Sequence, residues 1–575
     1  VVIRGLSPKY NTVTVNGIRL PSTDTQNRSV DLSLVSSNML DGIAVTKAVT
    51  PDQDADALGG SIDLKLRTAE PEWRADLMYQ GGYNRLQDTY DNYKLNASVS
   101  RRVWGERIGI IANVNADSYN RSADRFNASY GDVLVGEERR PFPNQLDLQE
   151  NALRRERLGG SAVVDVKLPA GKIVFNTIYN RLTNDGQVRT NIMNFSSDEQ
   201  RYRLSDNYNE SYINATGLSV EQDFEWMSFD ASASLNRSEN HSPGNTSYTF
   251  LQQYASDQTY LREELTPVLF PSIFSPDSMA TFMFDMGRSS RITNEEEQAA
   301  QFNLKVPFRL GDKVSGYVKT GVKYRSLART NDQTSITTGN SPYYGGGREL
   351  RALIADTYPE LGLDPAARIP MTHFLDDYSR PSFLSGDYPL GYAIQTGFTR
   401  DVFDLLVENG YTNYTRNGSL GQDYEGEETF TAAYAMTEIQ VGKRVILMPG
   451  FRIEAEETEY SAKYSASNDP AAGIPLNSIT YADTTTSRSN EFFLPMVHLQ
   501  LRPIDNIQLR LAYTETISRP DFRQFAPITY YNPIGNWSNA PNKDLKTSNA
   551  RNYDVSLSVY QNHIGFLTVS GFYKE

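Results

Sequence analysis

From about residue 75 onward, the chain consists of long segments in which apolar and polar residues alternate. The segment that begins at Ile108 keeps this period of two, and so do those that begin at Met227 and Val314. Each alternation outlasts the five or six residues, roughly, of an average soluble strand, and reaches the about ten residues that a tilted membrane-spanning strand needs. The pattern therefore predicts long antiparallel strands with one apolar face and one polar face.

The connections between these segments are alternately very short and very long. Short polar turns fall at residues 104–106, 169–171 and 442–444, whereas long stretches rich in Gly, Pro, Asn and Tyr lie near residues 122–150, 242–292, 331–425, 463–485 and 520–546. Outer-membrane barrels have short periplasmic turns and long external loops. The sequence thus predicts an all-β transmembrane β-barrel, antiparallel and up-and-down, in the outer membrane of a Gram-negative bacterium.

The overall composition excludes a helical membrane protein. The mean hydropathy is −0.52, and uninterrupted apolar stretches such as residues 108–112 fall far short of the roughly 18 residues of a spanning helix. A barrel is compatible with these values because only one face of each strand is apolar.

The rare residue types exclude several kinds of site. The chain has no cysteine, four scattered histidines and a net charge of −14. Thiolate metal sites and thiol nucleophiles are therefore excluded, and clustered basic residues for nucleic acid are missing. We expect no cofactor, no metal, no catalytic residues and no nucleic-acid partner.

The first 70 residues differ in kind from the rest. Short β-like runs at residues 11–18, 43–47 and 61–66 are separated by turn signals, and a helix-like run covers residues 30–40. We predict a small mixed α/β domain over residues 1–70, placed in the lumen of a barrel that occupies residues 71–575. About 15 strands are countable, so a barrel of about 22 strands would lack about seven on the C-terminal side.

Two N-terminal runs resemble a known family. The run VVIRGLSPKYNTVTVNGIRLPS from Val1 and the run VDLSLVSSNMLDGIAVTKAVTPDQDADALGGSIDLKLRTA from Val30 resemble the plug domain of TonB-dependent outer-membrane transporters. LRLAYTETISRPDFRQFAP from Leu509 and NKDLKTSNARNYDVSLSVY from Asn542 resemble late-barrel motifs of the same family. The plug motifs include Gly5, Asn16, Gly17, Asp31, Lys47, Gly59 and Gly60.

The resemblance implies energised uptake. A scarce extracellular ligand would bind the external loops and the outer face of the plug, and the TonB-ExbB-ExbD system would then move the plug through a TonB box that this chain lacks. The ligand expected first is a ferric siderophore, with an oligosaccharide as the alternative. Outer-membrane lipid and lipopolysaccharide are the expected surroundings.

Arg4 stands at the family's plug arginine position, where a guanidinium facing barrel carboxylates would hold the plug. The candidate partners are Glu438, Glu454 and Glu515. Counting by two places Glu438 and Glu454 on the polar, lumenal face. Glu515 matches the family's motif best, although alternation from Leu509 turns it outward. The alternative for Arg4 is a solvated turn arginine.

Asp52, Asp54 and Asp56 form a D-x-D-x-D run, which invites a calcium interpretation. Ala57 stands where a calcium loop needs Gly, and Asp63 where it needs Glu. We therefore interpret the run as an acidic plug loop.

The stretch from 331 to 425 is very long for a connection and shows no obvious regular structure, which favours a functional role. Its aromatic and arginine side chains would stack on or bind an iron-siderophore or a glycan equally well. The alternative is that they only pack the loop on its neighbours. The candidates for ligand binding are Tyr343, Tyr344, Arg348, Tyr378 and Arg380.

Two other classes of protein compete with the transporter. A passive porin or adhesin would leave its channel open, so the plug-like residues 4–68 argue against it. A secreted all-β glycan-binding protein or hydrolase would need, for hydrolysis, two carboxylates at a defined separation, and no sequence feature holds such a pair. We therefore expect a receptor and not an enzyme.

Overall fold

The computed structural model shows two parts, a small N-terminal sheet and a large barrel around it. The structure describes residues 2–135, 138–256, 271–339, 342–343, 347–380, 383–414, 419–465, 481–528, 530–532, 537–539, 542, 545–561 and 565–575. Within them, no helix is long and apolar enough to cross a membrane.

The N-terminal plug is a four-stranded mixed sheet in the order β2-β1-β4-β3. Its strands are β1 (Asn11–Val15), β2 (Ile18–Arg19), β3 (Leu40–Thr46) and β4 (Gly60–Leu66). Strand β1 is parallel to β4 and antiparallel to β2.

The predicted helix over residues 30–40 is wrong. Two short 3₁₀ helices stand there, Leu32–Leu34 and Ser37–Met39. The side chain of Asp31 accepts a hydrogen bond from the Ser33 N–H and caps the first of them. Serines in this run favour such local hydrogen bonds over a continuous α-helix.

The barrel consists of long strands, as the alternation predicts. Its strands before the longest connection are β5 (Arg74–Asn84), β6 (Thr89–Val103), β7 (Ile108–Asn120), β8 (Ala123–Val135), β9 (Glu138–Leu168), β10 (Gly171–Asn194), β11 (Glu199–Asp223), β12 (Ser228–Gln253), β13 (Phe282–Leu310) and β14 (Val314–Thr337). Those after it are β15 (Asn413–Tyr414), β16 (Tyr424–Val441), β17 (Val445–Ser465), β18 (Tyr481–Ile504), β19 (Ile507–Ser518), β22 (Ser548–Gln561) and β23 (Gly565–Lys574), while β20 (Tyr530–Asn532) and β21 (Trp537–Asn539) form a separate hairpin.

Pairing in the barrel is antiparallel and follows chain order, as in an up-and-down barrel. Strands β7 and β8 both pair with β9, and strands β15 and β16 both pair with β14. In each case the two consecutive segments occupy a single strand position of the barrel. Strands β5 and β23 are exposed on both faces along nearly their whole length.

Strand β14 shows how the alternation sorts side chains between the two faces of the wall. Val318 and Val322 are about half exposed on the outside, whereas Lys319, Lys323 and Arg325 point into the lumen toward the plug. The barrel therefore has an apolar outer face and a polar inner face, as predicted.

Several strands extend into stretches that the sequence marks as irregular. Strands β8 and β9 pair across much of residues 122–150, and β12 and β13 pair as far as Leu251 and Phe282. The expectation of irregular loops was wrong at these places, because the polar, turn-rich residues still form paired strands that continue those of the barrel.

The connection after β14 contains regular structure, which contradicts the expectation. It holds α1 (Arg348–Thr357) and α2 (Thr396–Glu408), together with 3₁₀ turns, and we call residues 347–411 the helical cap. Its buried residues pack on the extended ends of β11–β13 and form the cluster of Tyr202, Leu204, Tyr248, Phe250, Met283, Met286, Leu350, Ile354, Ile369, Met371, Phe374, Ile394, Val402, Phe403 and Leu406.

Phe403 tests whether this cap is a separate cooperative unit. Its ring is fully buried in α2 and lies edge-on to Tyr248. We expect Phe403→Ala to destabilise the cap by about 3–5 kcal/mol, because a large ring leaves a cavity. Limited proteolysis should then cut within the cap while the barrel stays folded. Phe302→Ala, which removes a ring from the outer face of β13, is the control, and equal cleavage of both variants would contradict a separate cap.

Candidate functional site

The acidic plug loop, residues 50–57, binds a row of basic side chains on β14. The Asp52 carboxylate lies 2.6 Å from Lys319 Nζ, and the Asp54 carboxylate lies 2.7 Å from Lys323 Nζ. The two lysines are four residues apart, so period two places both on the lumenal face. The loop is thereby fixed to the barrel wall by two ion pairs.

Asp56 is the centre of a larger group of charges. It lies 2.8 Å from Arg19 of the plug and 3.1 Å from Arg519, which follows β19. Arg519 is nearly fully buried and also pairs with Glu454 and Glu456 of β17. We call the following set the ionic cluster: Arg19, Asp52, Asp54, Asp56, Lys319, Lys323, Arg325, Arg452, Glu454, Glu456 and Arg519.

Charge pairing keeps the plug carboxylates ionised although they are buried. Burial raises the pKa of Asp54, but Lys323 and Arg325 outweigh it, so the pKa stays below its usual value. Burial acts in the same direction on Asp56, where Arg19, Arg325 and Arg519 hold the pKa well below its ordinary value. The plug loop is thus anionic at neutral pH.

These shifts predict a pH dependence. A carboxylate with a depressed pKa in the folded state stabilises that state above its unfolded pKa, and the stabilisation is lost as the pH falls through the folded pKa. We expect the difference in unfolding temperature between the wild type and Asp56→Asn to be constant from about pH 8 to pH 5. It should shrink only below the ordinary carboxyl pKa of 3.8. Thermal unfolding in detergent measures it, and a difference that shrinks between pH 7 and 5 would contradict the assignment.

A second set of contacts holds the plug segment between β2 and β3. Arg28 makes two hydrogen bonds to Glu428 of β16, at 2.5 and 2.8 Å, and its guanidinium lies 4.1 Å from the ring centre of Phe522. Arg329 lies 4.1 Å from the same ring centre and donates to Glu295 at 2.6 Å. The backbone N–H of Ser22 donates to the same Glu295 at 2.7 Å.

The structure corrects the predicted partner of Arg4. Arg4 pairs with Asp554 of β22 and lies 5.3 Å from the ring centre of Phe572. Glu438 faces the lumen as predicted and lines the same cavity of about 1150 Å³ as Arg4, but it accepts a hydrogen bond from Tyr317. Asp554 was not predicted because the alternation does not reveal which strand lies beside Arg4.

The other two predicted partners of Arg4 also lie elsewhere. Glu454 belongs to the ionic cluster and is linked to the plug through Arg452 and Arg519, which contact Asp54 and Asp56. Glu515 faces outward, where Tyr513 donates to it and Arg551 lies 3.8 Å away. The outward position follows from the period of two, since its neighbours Thr514 and Thr516 are buried.

The plug motif residues shape turns and edges of the sheet. Asn16 and Gly17 both have positive φ, as in the type I′ turn that joins β1 and β2. Gly60 has a φ of +150°, and a Cβ there would lie 2.6 Å from the Thr46 carbonyl oxygen. The remaining motif residues take structural positions: Asp31 as a cap, Gly5 in a turn with a φ of +74°, Gly59 against Asn11, and Lys47 beside the cavity at Arg4.

The loop candidates do not form one exposed surface. Tyr343 is buried between Phe284 and Arg368, and Arg348 is exposed at the start of α1. Tyr378 and Arg380 both bind Glu150 of β9 and so fasten the cap to the barrel. Tyr344 lies outside the described residues.

The prediction missed most of the cations that hold the plug. Arg19, Arg28 and Arg519 were not singled out, and neither were Lys319 and Lys323 as partners of the acidic loop. A signal for the last two was present, because two lysines on one lumenal face complement an acidic run on the plug.

Comparison with known families identifies the chain. A model of the TonB-dependent receptor-like β-barrel matches residues 267–575, and one of the TonB-dependent receptor plug domain matches residues 1–61. The chain belongs to the TonB-dependent receptor family. Members of this family are transport receptors rather than enzymes, and the plug and barrel described above are its two domains.

Solved structures of receptors share the fold at low identity. The ferric-catecholate import receptor Fiu from E. coli, in its closed form, is 13% identical with a TM-score of 0.55 over 99% of this chain and 66% of that one. The siderophore receptor PiuA from Acinetobacter baumannii gives 13% and 0.55 over 99% and 65%. FpvA from P. aeruginosa, bound to heterologous pyoverdines, gives 11% and 0.53 over 98% and 56%.

The receptor chain therefore spans about two thirds of the length of Fiu and PiuA. A search of curated protein sequences found no match.

Proposed function

We propose that this receptor lies in the outer membrane of a Gram-negative bacterium, binds a scarce extracellular ligand and transports it actively into the periplasm. The ligand class we favour is a ferric siderophore. Fiu and PiuA are named for ferric catecholates and siderophores, and their fold is the one observed here. An outer barrel face of apolar residues fits a surround of outer-membrane lipid and lipopolysaccharide.

The observation that carries the proposal is the ionic cluster. A plug held by charges at the acidic loop can leave those contacts for water, because solvation replaces what the ion pairs lose. The apolar contact at the same place is small: Val49, Ala55 and Ala57 pack on Leu494, Met496 and Ile517, and only this surface would be exposed by movement. The cluster therefore suits a plug that moves and returns.

Energy for that movement would come from the TonB-ExbB-ExbD system through a TonB box. The plug stays against the barrel wall while Asp54 keeps Lys323, Asp56 keeps Arg519 and Arg28 keeps Glu428. Opening needs several ion pairs to separate together, which thermal motion alone achieves rarely. A pulling force on the plug would supply this energy.

Uptake by cells that carry the full receptor gene tests the proposal. A panel of iron-55-labelled ferric siderophores and labelled oligosaccharides is supplied to cells with and without functional TonB. We expect uptake of one ferric siderophore that disappears without TonB. Uptake of an oligosaccharide that disappears without TonB would keep the transport mechanism and replace the ligand class, and uptake that persists without TonB would leave a passive barrel.

A further inference from the structure

The neighbouring strands β9 to β13 carry one row of polar side chains next to the plug. Arg155 lies opposite Asn184, and Asn184 lies opposite Asn209. Ser242 donates to the Asn209 side chain at 2.8 Å and lies opposite Arg291. Residues that stand opposite each other or bond through their side chains share one face of a sheet. We call these five residues the vestibule row.

Contacts with the plug show that the vestibule row faces the lumen. Arg157, which shares the face of Arg155, donates to the Ser33 carbonyl oxygen of the plug at 2.7 Å. Arg291 itself donates to Thr25 Oγ1 of the plug at 3.3 Å. The row therefore borders the plug at both of its arginine ends.

Arg203 of β11 continues this surface away from the plug. Period two places Arg203 on the same face as Asn209 and as Ile213, which packs against the plug. The step from Arg203 to Asn209 covers about 20 Å of strand. Arg203 donates to Thr249 Oγ1 at 3.3 Å. Arginines thus stand at both ends of a length of inner wall that leads to the plug.

No carboxylate pairs with these three arginines. Arg155, Arg203 and Arg291 are partly buried, and none of them forms an ion pair with a residue that the structure describes. Arg291 donates instead to Gln333 at 2.7 Å. The carboxylates that act on them from farther away accept hydrogen bonds from other groups: Asp24, Asp31 and Asp285.

The outer face of the same strands differs. Arg181 of β10 lies 2.6 Å from Glu210, and Arg237 of β12 pairs with Glu296. These outer arginines have counter-ions of their own, whereas the three lumenal ones do not. A partly buried charge without a counter-ion is unfavourable. The lumenal arginines therefore favour the binding of an anion from solution.

We propose that the vestibule row binds an anionic ligand, and that Arg203 attracts this ligand along the wall toward the row. The inference rests on the proposed function and adds the charge class of the ligand, which is a ferric siderophore complex of net negative charge rather than an uncharged one. Guanidinium groups bind anionic oxygen atoms through paired N–H donors. Asn184, Asn209 and Ser242 supply neutral hydrogen-bonding groups between the two arginines.

The spacing of the two arginines adds a requirement on the ligand. Strands β9 and β13 are four positions apart in the sheet, which is roughly 19 Å along the wall. A small anion with one charge would contact one of the two arginines at a time. A chelate with anionic oxygens on several sides of the iron can contact both, and it gains affinity from each contact. The row therefore favours a polyanionic complex.

Equilibrium binding to the purified full receptor in detergent tests this inference. The probes are two iron-55-labelled complexes, a trianionic ferric tris-catecholate and an uncharged ferric tris-hydroxamate. We expect the wild type to bind the trianion at least about tenfold more tightly at about 0.1 M salt. Most of this preference should disappear at about 1 M salt, where the screening length falls from about 10 Å to about 3 Å.

Substitutions in the row should act on the charged probe alone. Arg155→Gln and Arg291→Gln should each weaken binding of the trianion by about tenfold or more, because each removes a charge-assisted contact. Binding of the hydroxamate should stay within about twofold. Arg291→Lys should restore part of the lost affinity, since it keeps the charge without the paired donors.

A matched control lies on the outer face of the same strands. Arg237→Gln removes an arginine that already has a counter-ion, so binding of the trianion should stay within about twofold of the wild type. Arg203→Gln should slow association of the trianion by about threefold and leave its dissociation rate unchanged, because a charge on the approach acts on the encounter.

Stability without ligand gives a measurement that distinguishes binding from a structural role. Arg291→Gln should unfold at the temperature of the wild type or above it, because it removes a partly buried charge that no carboxylate compensates. Glutamine also keeps groups that can hydrogen-bond Gln333 and Thr25. A lower unfolding temperature together with the weaker binding would show that Arg291 holds the plug, and would overturn its role in the site.

The outcomes separate the inference from the function on which it rests. Wild-type uptake that does not need TonB would overturn the proposed function, and the affinities would still decide for or against an anionic ligand. Tighter binding of the hydroxamate, or weak binding of both complexes, would overturn the anionic ligand, while TonB-dependent uptake would keep the proposed function. Equal effects of Arg237→Gln and Arg291→Gln would overturn the vestibule row as the site.

Discussion

Arg519→Ala is expected to weaken the docking of the plug in the barrel by about 3–5 kcal/mol, because removing one partner of a buried pair leaves the other charges uncompensated. Arg519 is buried among Asp56, Glu454 and Glu456. After the substitution, Glu456 keeps Asn490 and Thr547 as hydrogen-bond donors, but Asp56 loses one of its three cations. The plug should therefore separate from the barrel more readily.

Heat-induced unfolding of the purified receptor in detergent measures this change, together with protease cleavage of the plug at a fixed temperature. Arg309→Ala is the matched control, since Arg309 is exposed near the short turn and its pair with Asp312 is 3.7 Å long. We expect the control to stay within about 0.5 kcal/mol of the wild type. Equal losses in the two variants would show that Arg519 contributes nothing beyond a surface charge.

The contrast between Arg519 and Arg4 shows which parts of this site a sequence can predict. Period two correctly placed Glu438 and Glu454 toward the lumen and Glu515 outward, because the face of a strand residue is a local property. The partner of Arg4 is not local, since it depends on how the plug is rotated within the barrel. Asp554 lies 550 residues away along the chain. The alternation within one strand does not depend on how the plug is rotated, so it cannot predict this partner.

The loops show the other limit of prediction. The short turns were found because Gly and Pro mark them directly, whereas α1 and α2 are short and lie among many polar residues, which hides their period. Their fold is decided by packing on β11–β13, through contacts such as Phe403 with Tyr248. Ligand candidates chosen by residue type in this stretch were consequently spread between buried and exposed positions.

The acidic loop is the place where an altered charge should have the most direct functional effect. In Asp54→Asn/Asp56→Asn, Lys323 keeps its side chain in the lumen without its closest carboxylate, and Arg19 loses its partner at 2.8 Å. Each broken buried pair costs about 3–5 kcal/mol. We expect the plug loop to leave the wall, so that the receptor conducts ions in a planar bilayer where the wild type is closed.

Asp63→Asn is the matched control for this result. Asp63 lies on the same plug, but it accepts hydrogen bonds from Thr14 and Gly17 and pairs with Lys65, all within the plug. Its loss should soften the plug without freeing the acidic loop, and conductance should stay at the wild-type level. Conductance that rises equally in both variants would mean that plug stability, and not the ion pairs to the barrel, keeps the lumen closed.

A double-mutant cycle between Asp56→Asn and Arg519→Ala then separates the direct pair from its surroundings. If the two side chains act through their contact at 3.1 Å, the double variant should lose less stability than the sum of the single variants. Glu454 and Glu456 limit this coupling energy, because they lose the same guanidinium whether or not Asp56 is charged. The coupling should therefore be positive but smaller than the full cost of Arg519→Ala. A coupling near zero would place the plug's hold on the barrel with Lys319 and Lys323 instead.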